Sequence, residues 1–280
     1  MKLVLYSGYD KENAAIDREV IRLIGKKNPR VVFIPSTSHA HDFEFDYVRE
    51  TFASYGVKKM ALFNIDHPYS TPDAELIFKT ADMIYLSGGN TFYFLKSIYR
   101  NHLDRLLLDF VMRGGVLVGL SAGAIVMTPS IATASYPKFD RDENTVGIGN
   151  FDAMGLVDFE FFPHYTPEPE YAVELLKQSK LITHPLYGVS DGGGIVVENG
   201  RLSFFGDVWA HTNGHVFKIN SAALVAKKKI QQKAQQKSKQ MALHNSMKKT
   251  ANKTAANKTT AKVGPGTKPK QSGHLKKWSR

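Results

Sequence analysis

Residues 116–124 read Val116-Leu117-Val118-Gly119-Leu120-Ser121-Ala122-Gly123-Ala124. The apolar run with its β-branched valines predicts a buried strand, and the small residues after it predict a tight turn into a helix. Ser121 stands at that turn in the pattern Gly-x-Ser-x-Gly, which is typical of a nucleophile elbow. Backbone N–H groups at such a helix N-terminus favour a developing oxyanion. The stretch therefore predicts an α/β sheet with a candidate nucleophile at its edge, the alternative being a small-residue turn with an incidental serine.

Short apolar runs alternate with amphipathic stretches on both sides of this segment. We predict strands at Leu3–Ser7, Val31–Pro35, Lys59–Phe63, Met83–Leu86 and Val116–Gly119, with helices between them. Strands that alternate with helices form parallel βαβ units with right-handed crossovers. The sequence therefore predicts a three-layer, doubly wound, mostly parallel sheet with helices on both faces. In such sheets, ligands bind at the carboxyl ends of the strands.

After residue 130 the pattern changes, because residues 131–155 are rich in loop formers. A helix is predicted at Glu168–Gln178. Further strands are predicted at Leu186–Ser190, Gly194–Val197, Leu202–Phe205 and His215–Ile219. We expect these strands to extend the same sheet, so that residues 1–220 form one domain.

Charge divides the chain near residue 220. Residues 221–280 hold 16 of the 37 Lys and Arg residues and none of the 26 Asp and Glu residues. Their low-complexity order predicts a disordered basic tail, since ordering costs about 1–2 kcal/mol per residue and little apolar surface would be buried in return. A solubilising or localisation role is the simpler interpretation of this tail. The alternative is non-specific binding of nucleic-acid phosphates.

Composition excludes several classes of protein. The chain has no cysteines, which excludes disulfides, cysteine-ligated metals and a cysteine nucleophile. Its apolar runs are shorter than the roughly 20 residues of a membrane helix, and the N-terminus lacks the features of a signal peptide. We expect a cytoplasmic monomer or homodimer that needs no cofactor. A metal site at His39, His41 and Asp42 is disfavoured because no further ligand is identifiable.

A second glycine-containing turn follows the fourth predicted strand. It reads Ser87-Gly88-Gly89-Asn90-Thr91 and opens the next helix. Glycines let backbone amides approach a substrate closely, so Gly88 or Gly89 is a candidate oxyanion donor beside Ala122. The alternative is a plain turn capped by Asn90.

A serine nucleophile needs a base, and three histidines are candidates. His164 follows an apolar run and Pro163, at the end of a predicted strand. His211 and His215 are its rivals, because the order serine, acid, histidine would match the α/β-hydrolases.

The base in turn needs an orienting carboxylate. Asp191 follows a predicted strand and precedes three glycines, which suits this role. Asp140, Asp142 and Glu143 are alternatives on the loop after the turn, although a solvated charged loop is the simpler interpretation there.

Three motifs together resemble the peptidase E family of serine peptidases, which includes aspartyl dipeptidases and cyanophycinases. They are Ser87–Phe92, Gly119–Ala124 and Phe162–Tyr165, within a resemblance that covers roughly residues 1–219. The resemblance implies a flavodoxin-like fold similar to the class I glutamine amidotransferase domain, with serine in place of its cysteine. It also implies a serine peptidase, a dipeptidase or small-peptide exopeptidase that works through an acyl-enzyme. An esterase or amidase acting on small substrates is the alternative within this chemistry.

The resemblance also implies roles for individual residues. Ser121 matches the family nucleophile, His164 its base, and Asp191 the acidic residue before glycine. The backbone of Gly88 or Gly89 and of Ala122 matches the oxyanion hole. Some members use an aspartate on the loop after the turn, which keeps Asp140 and Asp142 in reserve.

One feature departs from the family pattern. Aspartyl dipeptidases grip the substrate's aspartate with an arginine downstream of the histidine, and no arginine occurs here between Arg141 and Arg201. The matching stretch, Thr166–Glu170, is acidic. The resemblance therefore does not carry over a preference for N-terminal aspartate.

Overall fold

The main sheet has seven strands and is parallel except at one edge. The computed structural model describes residues 1–10, 13–38 and 41–219, apart from the side chains of 41 and 42. The strand order is β3-β2-β4-β5-β1-β8-β9, with β8 and β9 antiparallel to their neighbours. The strands are β1 (Lys2–Tyr6), β2 (Arg30–Ile34), β3 (Lys59–Leu62), β4 (Met83–Leu86), β5 (Val116–Leu120), β8 (Gly194–Glu198) and β9 (Arg201–Phe205).

The core lies on both faces of this sheet. Along β1, Leu3 and Leu5 belong to one apolar cluster, while Val4 and Tyr6 belong to the other. Side chains alternate between the faces of a strand, so a strand buried on both faces is a continuous apolar run. This burial explains why β1, β2, β4 and β5 were recognisable from short apolar runs, whereas the edge strand β3 is largely exposed.

Helices cover the two faces. One face carries α1 (Ala14–Ile24) and α2 (His41–Ser54), whose buried residues join the cluster of Val4. The other carries α3 (Thr71–Thr80), α4 (Thr91–Arg100), α5 (Leu103–Met112) and the short α6 (Ala122–Ile125). The predicted three-layer arrangement is therefore confirmed.

A second sheet corrects the prediction for the later strands. It has the order β11-β10-β7-β6 and consists of β6 (Glu160–Phe162), β7 (Leu186–Val189), β10 (Val208–Thr212) and β11 (His215–Ile219). Only β8 and β9 extend the main sheet, so the expectation that all later strands would join it was wrong. Strand β10 was not predicted at all. A 3₁₀ helix (Ile131–Ser135) and α7 (Pro169–Gln178) complete the described elements.

Two predictions fall outside the described residues. The tail, residues 221–280, lies there, and so do His39 and the side chains of His41 and Asp42. Within the described part, no helix is long and apolar enough to cross a membrane. Those same residues contain no group of three His, Asp or Glu side chains placed to hold a metal ion.

Candidate active site

Ser121 occupies a strained turn between β5 and α6. Its backbone has φ 49° and ψ −108°, a left-handed conformation that is uncommon for a residue with a side chain. The neighbouring glycines are required by close packing: a Cβ at Gly119 would overlap the Gly123 carbonyl, and one at Gly123 would overlap the Leu86 carbonyl. These contacts explain why Gly-x-Ser-x-Gly is needed at this point of the chain.

His164 reaches Ser121 from the end of the second sheet. It follows β6 and Pro163, and it too has a positive φ, of 55°. Its Nε2 lies 2.9 Å from Ser121 Oγ, and its Nδ1 lies 2.7 Å from Asp191 Oδ1. Because a carboxylate only accepts hydrogen bonds, Nδ1 carries the ring proton and Nε2 is left to accept from the serine. The side chains of His164 and Asp191 are 47% and 49% exposed, so substrate can reach them.

Ser7, at the carboxyl end of β1, supports both His164 and Asp191. This buried side chain accepts a hydrogen bond from the His164 backbone N–H at 2.7 Å. Its own hydroxyl lies 2.8 Å from the Val189 carbonyl and 3.1 Å from Asp191 Oδ1, and its single proton goes to one of these acceptors. The sequence reasoning missed this residue, whose only signal was its place at the end of a parallel strand.

The charges around His164 shift its titration. Partial burial disfavours the charged form of the His164 ring and by itself would lower its pKa. The hydrogen bond and charge of Asp191 act in the opposite direction, as do the charges of Asp140 and Asp142. Together they outweigh burial and raise the pKa of His164 above 6.5. The hydrogen bond with His164, helped by Ser7, lowers the pKa of Asp191 below 3.8. The His164 ring therefore loses its proton at a higher pH than an ordinary histidine does.

The two glycines of the second turn have different surroundings. The Gly88 N–H donates to Glu44 Oε1 at 3.1 Å, and burial raises the pKa of that carboxyl. Gly89 has φ 122°, which favours glycine, and a Cβ there would overlap the Ser36 hydroxyl. Among the described residues, we find no hydrogen-bond partner for the N–H groups of Gly89 and Ala122. Glu44 was not singled out from the sequence, where it is one charge on an amphipathic helix.

The rival residues lie elsewhere. His211 is fully buried in β10 against the ring of Tyr165, and His215 is exposed on β11. Asp142 Oδ2 accepts from the Thr91 N–H at 2.7 Å, and Asp140 Oδ2 accepts from the Tyr171 hydroxyl at 2.8 Å. Both ring nitrogens of His164 already have partners, so neither of these aspartates is hydrogen-bonded to the ring.

Glu143 is also placed away from the ring. Its carboxylate is exposed and lies 3.4 Å from the Arg141 guanidinium, with which it forms an ion pair. Of the four carboxylates considered, Asp191 alone is hydrogen-bonded to His164.

Comparison with protein families gives the wider relationship. Residues 3–205 match the model of peptidase family S51. The chain belongs to this family. Membership of family S51 confirms the predicted resemblance to peptidase E enzymes, the α/β fold and the class of serine-type peptidase.

Relatives of this S51 chain are found among both sequences and structures. An uncharacterized peptidase of Listeria innocua is 34% identical over 142 residues, which are 50% of this chain and 66% of that protein. A probable alpha-aspartyl dipeptidase of Drosophila melanogaster is 29% identical over 198 residues, 67% of this chain and 75% of that protein. The crystal structure of a candidate peptidase E from Listeria monocytogenes matches with a TM-score of 0.60 at 25% identity, over 72% of this chain and 96% of that one.

Proposed function

We propose that this S51 peptidase hydrolyses dipeptides or short peptides through an acyl-enzyme on Ser121. The hydrogen-bonded series from Ser121 Oγ to His164 Nε2, and from Nδ1 to Asp191, carries the proposal. Nucleophile and base within hydrogen-bonding reach, with the base oriented by a third group, is the arrangement that activates a serine. The alpha-aspartyl dipeptidase name of the fly relative supports a dipeptidase in particular.

The reaction follows from these positions. His164 Nε2 removes the proton from Ser121 as Oγ attacks the peptide carbonyl, and Asp191 stabilises the imidazolium that forms. The tetrahedral oxyanion is held by the N–H groups of Gly89 and Ala122, since the Gly88 N–H is engaged by Glu44. His164 then protonates the leaving amine. Water attacks the acyl-enzyme by the same route and releases the N-terminal residue.

Replacement of the nucleophile tests this function. Ser121→Ala should lower kcat on a panel of dipeptides by about 10⁶-fold. Ser54→Ala is the matched control, because Ser54 is exposed on α2 and, among the described residues, its hydroxyl bonds the Thr51 carbonyl alone. Hydrolysis by purified Ser121→Ala at the wild-type rate would refute the proposal.

We also propose that residues 1–220 are the catalytic unit and that residues 221–280 are an accessory tail. The charge division supports this, because the tail holds 16 basic residues and no acidic ones. We assign the protein to the cytoplasm, where a chain without cysteines needs no disulfides. Truncation at 220 should keep peptidase activity. RNA binding that is steeply salt-dependent and lost on truncation would instead give the tail a nucleic-acid role.

A further inference from the structure

A cleft of about 400 Å³ opens beside Ser121 and His164. The acidic side chains Asp140 and Asp142 line it, and none of its described lining residues is Lys or Arg. A substrate group that enters this cleft next to the scissile bond therefore meets two carboxylates, and His164 is the side chain among the described lining residues that can carry positive charge.

The two aspartates are held in place by hydrogen bonds from neutral donors. Each uses one carboxylate oxygen, Asp142 to the Thr91 N–H and Asp140 to the Tyr171 hydroxyl. Neither donor is an ionic partner. The nearby Arg141 bonds Glu143 instead, at 3.4 Å. The second oxygen of each aspartate has no hydrogen bond to any described residue and is free to accept one from a ligand.

Further acidic residues act on Tyr171, whose hydroxyl bonds Asp140. Burial, the hydrogen bond to Asp140 and the charges of Asp140, Glu168 and Glu170 together raise the pKa of Tyr171 to about 12. Negatively charged side chains are therefore found in the cleft and also near Tyr171. A carboxylate on the substrate would be repelled by Asp140 and Asp142.

Thr133 adds an unpartnered polar group to the same cleft. It is 2% exposed, and its Oγ1 has no hydrogen-bond partner among the described residues. A buried hydroxyl without a partner is costly, and this one can accept from an N–H donor. Tyr136 and Phe162, whose rings stack at 6.1 Å, supply apolar wall on which an aliphatic stem can pack.

We propose that this cleft selects peptides whose N-terminal residue presents a cation, ammonium or guanidinium, to Asp140, Asp142 and Thr133. The proposal rests on the peptidase function argued above and names its substrate class. The cation comes from the free α-amine or from a Lys or Arg side chain, and both place N–H donors against carboxylate and hydroxyl acceptors. An N-terminal aspartate is the wrong charge for this cleft.

Binding to Ser121→Ala tests the cleft without requiring catalysis. Calorimetry compares Arg-Ala, norleucyl-Ala, Asp-Ala and the N-acetylated forms of the first two. We expect removal of a cation to weaken binding about tenfold. The difference in affinity between Arg-Ala and norleucyl-Ala measures what the side-chain cation contributes to binding. The difference between the free and acetylated forms measures what the α-amine contributes. Asp-Ala should bind most weakly of the three free dipeptides.

Charge-neutral variants complete the test. In the same background, Asp142→Asn and Asp140→Asn keep their hydrogen-bond acceptors but should abolish most of the tenfold preference. Glu143→Gln, on the same loop and outside the cleft, is the matched control and should preserve it. If Arg-Ala binds no more tightly than norleucyl-Ala and the acetylated peptides bind as tightly as the free ones, the proposal is overturned. Tightest binding of Asp-Ala would also overturn it.

The outcomes separate this proposal from the proposed function. If the wild type hydrolyses dipeptides through Ser121 but neither the Arg side chain nor the free α-amine improves binding, the cleft assignment fails and the peptidase stands. If cationic dipeptides bind selectively but are not hydrolysed, the cleft assignment stands and the peptidase fails.

Discussion

Ser7→Ala removes a hydroxyl that does not contact the substrate but holds the base, His164, in position. Ser7 is fully buried, and its Oγ accepts the His164 N–H at 2.7 Å while lying 3.1 Å from Asp191 Oδ1. His164 holds a left-handed backbone with φ 55°, which needs support from its surroundings. Without Ser7 the N–H of His164 loses its partner, and the imidazole is free to shift away from Ser121.

The expected size of the effect follows from these contacts. An orphaned buried donor costs about 1–3 kcal/mol, so the free energy of unfolding should fall by that amount. A displacement of the base by about 1 Å costs on the order of 10²-fold in rate. We therefore expect kcat/KM for dipeptide hydrolysis to fall about 10²-fold.

Ser179→Ala separates positioning from stability. Ser179 is also a buried serine, accepting the Gly214 N–H at 3.0 Å and donating to the Leu176 carbonyl at 2.9 Å, but it lies in none of the contacts of Ser121 or His164. Urea unfolding should show similar losses for both variants, whereas only Ser7→Ala should lose activity. Full activity in Ser7→Ala, or equal loss in both, would refute a positioning role for Ser7.

Three other predictions follow from the same contacts. The kcat/KM of the wild type should fall as pH drops through the pKa of His164, which is raised above 6.5. Asp140→Asn removes a charge that favours the imidazolium, so it should move this acidic limb of the pH–rate profile to lower pH. An acidic limb at the same pH in Asp140→Asn would contradict this. Gly89 has a φ of 122°, and a Cβ at this position would overlap the Ser36 hydroxyl. Gly89→Ala should therefore displace an oxyanion donor and lower kcat by about 10²–10³-fold. A wild-type kcat in this variant would exclude Gly89 from that role. Burial lowers the pKa of His211 to about 4, so its contribution to stability is lost as pH falls from 6.5 towards 4. In urea unfolding, His211→Phe should therefore lose about 3 kcal/mol less than the wild type over this range, and identical pH dependence would contradict the assignment.

The sequence predicted most of what local pattern controls. Ser121 was recognisable because β5 and its turn need an apolar run followed by small residues. His164 and Asp191 were candidates because they follow apolar strands, but it was the resemblance to the peptidase E family that favoured His164 over His211 and His215. The structure places His164 Nε2 beside Ser121 Oγ although 43 positions of sequence separate the two residues.

What the sequence did not predict depends on contacts between distant segments. A short apolar run shows that a strand is buried, but not which edge it pairs with, so β7 and β11 were assigned to the wrong sheet. Ser7 is 157 positions from His164, and Glu44 is 44 positions from Gly88. Each looks like an ordinary polar residue at a strand end or on a helix, and only the folded chain gives it a partner.

Mass spectrometry of the intact protein after treatment with a fluorophosphonate tests the central claim, that His164 activates the Ser121 hydroxyl. We expect a single adduct, located on Ser121 and absent from Ser121→Ala, whose rate of formation falls at least about 10²-fold in His164→Ala. Labelling at another residue, or labelling of Ser121 at an unchanged rate without His164, would contradict it.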